Sequence, residues 1–520
     1  MSKVSAEDAV SVAALDPEKA LETPREEKLQ KSEILLNGDV ESEGIGSLSS
    51  GGIDAIVKAV DPDDPLHPYH WKPWKKWMIT AMYCTLEIYV TWSSTGVVNF
   101  LYEFEEIWHC SQQAACMVQS FFIFGNAVGP LLLGPLSDVT GRKWVYVWAM
   151  VLFVVFQIQQ ALARNLATMI IGSFIAGFFG STALANVAGS IADVFDKKTI
   201  GIPMSFFVWG ANAGASIGSP ISESIIEHTT WRWFYWMNMI VGGVLIVLCI
   251  MMPETLPSIN IGRDFFSSRL ESVQGGARLI VRKTAFALAM AGKIFLTEPI
   301  VLCLGLYNGF LYGLTFLYLD GIFDIFLDKY KMSYMGANLT YLNFLVGATV
   351  VILIQPIQDY LHRQDTASHG YSRPEARFKL ALLLVWLFPI SLFWFAFTSN
   401  GHIHWICPVI AGGVLSVADA FLWLCMVNYI GESYPSVAGS AIAAFTFPTF
   451  IIAGVLVHLG VLMFKNMSST WAMALLGFVS LPLVALVYVL YFFGVKIRNI
   501  SKLAAKPERT VEQVEPTQVV

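Results

Sequence analysis

The sequence predicts an all-helical membrane protein whose twelve spans form two related bundles of six helices. Of its 520 residues, 55% are hydrophobic and only 14% are charged, with a mean hydropathy of +0.58. The apolar residues come in blocks of roughly 20, which is the length that an α-helix needs to cross a bilayer. A charged segment between two of these blocks recurs in weaker form in the second half of the chain, which indicates an internal repeat.

The twelve apolar blocks are delimited by their lengths and by the charged or helix-breaking residues between them. They lie near residues 77–100, 114–136, 143–163, 167–192, 203–226, 234–252, 298–323, 335–356, 379–399, 404–430, 437–463 and 471–494.

The recurring segment is 134–143, which reads Gly-Pro-Leu-Ser-Asp-Val-Thr-Gly-Arg-Lys and predicts a short loop outside the hydrocarbon. Its proline, aspartate and arginine each recur 221 residues later, as Pro356, Asp359 and Arg363. A loop that repeats between membrane spans is typical of transporters built from two related halves.

Lysine and arginine gather in alternate loops, which places both termini in the cytoplasm by the positive-inside rule. We divide the chain into a disordered cytoplasmic segment (1–70), an N-terminal bundle (71–252), a basic cytoplasmic loop (253–297), a C-terminal bundle (298–500) and a cytoplasmic tail (501–520). The central loop is either a helix on the inner leaflet or a solvated linker.

The segment 134–143 resembles the motif between spans two and three of the major facilitator superfamily, G-x-L-S-D-x-x-G-R-K, at every fixed position. Gly214, Gly218 and Pro220 resemble the fifth-span antiporter motif of the fungal drug:proton antiporter branch with twelve spans. The resemblance implies the major facilitator fold, with spans one, four, seven and ten around a central cavity. Ser173 stands where that branch carries an arginine associated with proton coupling.

The repeated segment also has a mechanical interpretation, in which it latches the two halves together. We expect Asp138 to accept from backbone amides at the start of span eleven, near 437–439, where the helix dipole favours a carboxylate. Arg142 is expected to pair with Asp193 at the end of span four. The alternative is a solvated turn with a topogenic Arg-Lys pair. The predicted gating residues are Gly134, Asp138, Gly141, Arg142, Lys143 and Asp193.

Two carboxylates fall near the middle of predicted spans, where ionisable groups are rare and mark functional sites by default. Glu87 lies in span one and Asp419 in span ten, and both are candidates for proton coupling. The alternative for each is a neutral, hydrogen-bonded structural role. Glu223, near the outer end of span five, is expected to be solvated.

The predicted cavity takes its polar atoms from amides and phenols, and an aromatic content of 13% favours a hydrophobic or amphipathic organic substrate. The candidate cavity residues are Asn186, Tyr307, Asn308, Tyr312 and Asn428. Asn338 and Asn466 begin glycosylation sequons on the predicted outer side. Cys110 and Cys116 either pair with each other or remain free thiols.

Other chemistry has no support in the sequence. It contains no Gly-x-x-x-x-Gly-Lys-Ser/Thr phosphate loop and no histidine pair at metal-binding spacing. We therefore predict that the chain is not an enzyme, needs no metal or cofactor and is not driven by ATP.

These observations predict a secondary transporter that exports a small organic compound, such as a drug, toxin or secondary metabolite, by proton antiport. The expected partners are that compound, protons and the lipid bilayer; we expect a monomer that binds no nucleic acid. A facilitator or importer of the same fold and a transport-dead receptor or sensor are the alternatives. The predicted location is the plasma membrane, with the vacuolar membrane as the alternative.

Overall fold

The computed structural model describes residues 67–196, 199–257, 273–369, 373–434, 437–501 and 503–504. The predicted disordered segment as far as residue 66, residues 258–272 of the predicted central loop and most of the predicted tail lie outside the described residues. Just before the first long helix, Pro68–His70 form one turn of 3-10 helix.

The described chain folds into twelve long helices that coincide with the twelve apolar blocks, and we number them α1 to α12. They are α1 (Pro73–Thr95), α2 (Gln112–Thr140), α3 (Arg142–Ala161), α4 (Leu166–Val194), α5 (Gly201–His228), α6 (Trp231–Met251), α7 (Pro299–Asp328), α8 (Leu342–His369), α9 (Ala381–Thr398), α10 (Ile406–Ser433), α11 (Ala438–Asn466) and α12 (Ser469–Ile500). Shorter helices connect them, including Leu101–Trp108 before α2 and Tyr334–Leu339 before α8. A further helix, Val273–Thr297, leads into α7.

Ten of these helices are long and apolar enough to cross a membrane, judged on the described residues. The two that are not among the ten, α1 and α5, have the necessary length but carry more polar residues. Helix α1 contains Lys75, Lys76 and Glu87, and α5 contains a series of serines. Ser216 and Ser219 of α5 face the central cavity described below, and the Glu87 side chain is buried within the protein.

The packing of the helices follows a two-fold pattern. In the first half α1 packs on α5, α2 on α4, and α3 on α6; in the second half the corresponding pairs are α7 with α11, α8 with α10, and α9 with α12. The two halves meet along two matching seams, where α2 packs on α11 and α5 packs on α8. The helix Val273–Thr297 packs on α2 and α11, and so contacts both halves at one seam.

The predicted loop at 134–143 is largely helical, which corrects the interpretation of that segment. Helix α2 continues to Thr140, and only Gly141 interrupts it, with a backbone φ of +102° that favours glycine. In the second half, the residue at the same offset is His362, and α8 continues unbroken to His369. What recurs in the two halves is therefore the end of a helix that extends beyond its apolar block.

Gly214 and Gly218, which lie on one face of α5, permit the close approach of α5 to α1. A Cβ atom on Gly214 would overlap the Thr91 hydroxyl and the Ile88 carbonyl, and one on Gly218 would lie 2.9 Å from the Trp92 ring. Pro220 lies within α5, which continues past it to His228. Backbone proximity of this kind is a main source of helix association in lipid, where no hydrophobic force acts between helices.

We predict that Gly214→Ala destabilises the protein by about 1–3 kcal/mol, because the added methyl group would force α1 and α5 apart. The measurement is thermal unfolding of the detergent-solubilised protein. The matched control is Gly243→Ala in α6, since a Cβ at Gly243 meets nothing within 4 Å. Equal melting temperatures for the two variants would contradict this account of the α1–α5 contact.

Candidate functional site

The twelve helices alternate in direction, so the two ends of the bundle can be distinguished. We call the end at which α1 begins and α12 ends the terminal face, which the charge distribution predicts to be cytoplasmic. The other end is the opposite face. The candidate site consists of the contacts between the halves at each face and of the cavity between them.

Arg142, at the start of α3, is the centre of an ionic cluster at the terminal face. Its Nε lies 3.0 Å from Asp193 Oδ2 at the end of α4, and its Nη1 lies 2.5 Å from Asp138 Oδ1 in α2. The same Nη1 donates to the Ser137 hydroxyl at 2.8 Å. The guanidinium is almost fully buried, so these partners supply the charge and the acceptors that its burial requires.

Glu254 completes this cluster from the end of the first half, although it was not among the predicted site residues. Its carboxylate accepts from the backbone amides of Arg142 and Lys143, at 2.9 and 3.1 Å. These are the first amides of α3, which have no partner within the helix. Glu254 therefore caps α3, and its negative charge interacts favourably with the helix dipole. The position of Glu254 in the Pro-Glu-Thr segment directly after α6 was the sequence signal that could have identified it.

The corresponding cluster in the second half is centred on Arg377. Arg363, which is the arginine at the repeat offset, is not its centre. The Nε of Arg377 donates to Glu432 Oε1 at 2.9 Å, and its Nη1 lies 3.3 Å from Asp359 Oδ1. Arg363 is exposed on α8. Because α8 does not break where α2 does, its arginine stays on the helix, and the arginine before α9 takes the central position instead.

Next to this cluster, Glu375 joins the start of α9 to the end of α12. Its Oε2 accepts from Arg498 Nη2 at 3.3 Å, and both side chains are buried. Burial raises the pKa of the Glu375 carboxyl group, while the neighbouring Arg498 guanidinium acts in the opposite direction.

In each of the clusters around Arg142 and Arg377, one aspartate also contacts the other half of the protein. Asp138 lies against the start of α11, where a Cβ on Gly439 would be 2.7 Å from its Oδ2. In the same way Asp359 lies against the start of α5, where a Cβ on Gly201 would overlap its carboxylate. In each case a carboxylate faces the positive end of a helix dipole in the other half. The terminal face is thus held by two contacts that the pseudo-two-fold axis relates.

The cavity between the halves has a volume of ≈ 110 Å³ and is lined by residues from both. Its wall is mainly apolar, but it also carries five amide side chains, many hydroxyl groups and the single carboxylate of Asp419. The amides are Asn99, Gln119, Asn126, Asn212 and Asn308. The second half also contributes a group of aromatic rings, namely Phe316, Phe344, Trp423 and Phe450. The wall therefore offers both hydrogen bonds and an aromatic surface.

Three of the predicted residues, Asn308, Tyr312 and Asp419, line this cavity. Three others, Asn186, Tyr307 and Asn428, do not, which corrects their prediction. The Asn186 amide instead donates to the Leu133 carbonyl in α2 at 3.3 Å. Tyr307 is one residue from Asn308 and therefore faces another direction on α7, while Asn428 lies near the terminal-face end of α10.

Glu87 does not line the cavity either, but it lies just beyond its wall. It is one helical turn closer to the terminal face than Thr91, a lining residue whose hydroxyl donates to the Glu87 backbone carbonyl at 2.7 Å. The side chain is fully buried, and both carboxyl oxygens lack a hydrogen-bond partner in the described structure. Asp419, in contrast, has the Thr315 hydroxyl beside it.

Polar contacts also join the halves at the opposite face. Between α2 and α11, His458 Nδ1 lies 2.9 Å from Gln113 Oε1 and its Nε2 lies 2.8 Å from the Ser120 hydroxyl. On the other seam, Asn338 contacts both Glu223 and Asn99. With contacts between the halves at both faces, the structure is a closed state of the cavity.

The contacts of Asn338 correct two expectations. This sequon asparagine is fully buried and its amide is hydrogen-bonded, so it cannot carry a glycan in this state, whereas Asn466 is exposed at the end of α11. Glu223 was expected to be solvated but is buried. Cys110 and Cys116 do not form a disulfide with each other, and Cys116 is buried.

Residues 82–457 match the family profile of the Major Facilitator Superfamily. The chain belongs to this superfamily of membrane transporters. It is 54% identical over 500 residues to an uncharacterized transporter of Schizosaccharomyces pombe, covering 95% of this chain and 92% of that protein. It is 43% identical to the vitamin B6 transporter bsu1 of the same organism, covering 82% of each. It is 30% identical to the citrinin biosynthesis cluster MFS transporter mrr1 of Monascus ruber, covering 82% and 88%.

Among solved structures, the proton:xylose symporter XylE has a similar fold. The TM-score is 0.61 at 14% sequence identity, and the similarity covers 81% of this chain and 97% of the other. The predicted fold class, twelve helices in two pseudo-symmetric bundles, is thus confirmed.

We predict that Arg377→Ala lowers the stability by roughly 3–5 kcal/mol, because it leaves Asp359 and Glu432 without their shared buried cation. The measurement is thermal unfolding in detergent. Arg363→Ala, which removes an exposed arginine from the same region, serves as the control and is expected to have a much smaller effect. A larger loss for Arg363→Ala would show that the repeat, and not the observed cluster, identifies the important arginine.

Proposed function

We propose that this chain is a secondary transporter that exchanges a small organic compound for protons by alternating access. The observation that carries the proposal is the central cavity, which lies between two pseudo-symmetric halves that contact each other at both faces. Opening one set of contacts while the other holds would expose the cavity to one side of the membrane at a time.

The lining favours a compact, amphipathic substrate. A volume of ≈ 110 Å³ is small compared with the pockets of about 300–1,000 Å³ that hold drug-sized ligands. Amide and hydroxyl groups on both halves would fix the polar edge of the compound, and the rings of Phe316, Trp423 and Phe450 would pack on its apolar face.

Asp419 and Glu87 are the proposed proton carriers. Asp419 is the one carboxylate in the described cavity wall, and no lysine, arginine or histidine accompanies it there. Glu87 is buried nearby, without a hydrogen-bond partner for its carboxyl oxygens among the described residues. Ionisable groups in such positions are typical of proton and substrate pathways. The usual arginine of span four is replaced by Ser173, which accepts from Gln160 at 2.8 Å.

We propose export from the cytoplasm, with the terminal face and both termini on the cytoplasmic side of the plasma membrane. The relative from a citrinin biosynthesis cluster supports a small organic product as cargo. A second candidate is a facilitator or importer of a polar heterocyclic nutrient. It is favoured by the amide-rich cavity wall and by the 43% identity to a vitamin B6 transporter.

The experiment that separates these candidates is transport by the purified protein in lipid vesicles. Pyridoxine and a panel of aromatic secondary metabolites, including citrinin, would be tested with and without an imposed pH gradient. Accumulation that requires the gradient and opposes proton flow would establish antiport. Equilibration of pyridoxine without any gradient would favour the facilitator, and absence of transport for the whole panel would leave the proposed cargo class without support.

We predict that Asp419→Asn abolishes the dependence of transport on the pH gradient, because an amide cannot take up and release the proton. Glu87→Gln tests the second carrier in the same way. The measurement is initial transport rate with and without the gradient, and Asp328→Asn, which changes an exposed aspartate at the end of α7, is the control. Full gradient dependence in both Asp419→Asn and Glu87→Gln would rule out these two carriers.

A further inference from the structure

We propose that Asn338, Glu223 and Asn99 form the gate of the cavity at the opposite face, and that the ionised Glu223 carboxylate holds Asn338 in its closed position. The gate serves the transport proposed above, but its geometry is independent of the substrate. We refer to these three residues as the amide gate.

The hydrogen bonds of the amide gate occupy the whole Asn338 side chain. Its Nδ2 donates to Glu223 Oε2 at 3.2 Å and to the Tyr334 carbonyl at 3.1 Å. Its Oδ1 accepts from Asn99 Nδ2 at 3.2 Å, and Asn99 also donates to the Ser219 carbonyl at 2.8 Å. Asn338 therefore has a donor and an acceptor role toward the first half, which no apolar residue could replace.

The amide gate joins the two halves directly over the cavity. Asn338 belongs to the helix Tyr334–Leu339 of the second half, while Asn99 and Glu223 belong to the first half. Asn99 itself lines the cavity, as do Ser219 and Tyr341 close to the other two members. Any path from the cavity to the opposite face along the α5–α8 seam must therefore separate these three side chains.

Because the gate residues are buried, their polar groups are satisfied in two states of the gate, one closed and one open to water. Asn338 and Glu223 are buried in the closed state, where each needs the other as a hydrogen-bond partner. When the halves separate, water can replace both partners. Glu227, which is exposed one helical turn further along α5, adds a negative charge to the electrostatic environment of Glu223. The Asn338 amide is thus the principal group that stabilises the Glu223 charge in the described structure.

Asn338→Asp is the variant that tests the gate, because it replaces the amide donor with a second carboxylate facing Glu223. Like charges in contact across an interface are strongly unfavourable, so the gate should open. The reporter is Ala215→Cys, at a half-buried position in the cavity wall, in full-length protein whose seven native cysteines are replaced. We expect the reaction of this cysteine with a maleimide in detergent to become about tenfold faster, the factor that corresponds to roughly 1.4 kcal/mol.

The decisive comparison is between two rescuing substitutions. Adding Glu223→Gln to Asn338→Asp removes the repulsion, and the labelling rate should return to within about twofold of the reporter protein alone. Adding Glu227→Gln instead removes an equal charge one turn away, and the rate should remain high. Because Asn338→Asp also destroys the sequon, rescue at Glu223 shows in addition that loss of a glycan is not the cause.

Gel filtration and thermal unfolding would verify that each variant is folded. If Asn338→Asp does not fold, Glu223→Ala provides the test, since it removes the acceptor without adding charge and should still accelerate labelling severalfold. Unchanged labelling in a folded variant, or equal rescue by Glu223→Gln and Glu227→Gln, would overturn the proposal. The readout needs neither substrate nor pH gradient, so normal gating in a protein that transports nothing would refute the proposed function alone.

Discussion

The contact on which the structure depends is that of a carboxylate in one half with the start of a helix in the other. Asp138 faces the start of α11 and Asp359 faces the start of α5, and in both places a glycine allows the close approach. Each aspartate is in turn held by a buried arginine, Arg142 or Arg377. Because most partners in each cluster are charged or are helix dipoles, removing one would leave others uncompensated, which makes closure of the terminal face cooperative.

The helices were predictable because lipid demands about 20 apolar residues from each of them. The contacts of Arg142 with Asp193 and of Asp138 with the start of α11 were predictable in the first half, because the charges cluster in sequence between two apolar blocks. In the second half, the repeat offset leads to Arg363, and no glycine ends α8 there. The residue that takes this position, Arg377, lies in a separate segment before α9, and only the fold brings it to Asp359.

The cavity was less predictable than the latch, because sequence does not show which way a polar residue on a membrane helix faces. Asn308 and Tyr307 are adjacent in α7, yet only Asn308 lines the cavity. Asn338 is a second case in which the sequence did not show the environment of a polar side chain. Its sequon predicted an exposed position, whereas its contacts place it between the halves. The orientation of each helix depends on packing against partners far away in the sequence, such as α11 for α7.

The two faces are closed by different chemistry. At the terminal face, an aspartate held by an arginine of its own half faces a helix start in the other half, whereas the opposite face uses amides, a histidine and one carboxylate. Charge-assisted contacts are roughly twice as strong as neutral hydrogen bonds, and the amides can exchange each other for water at little cost. The opposite face should therefore open more readily than the terminal face when the cavity is empty.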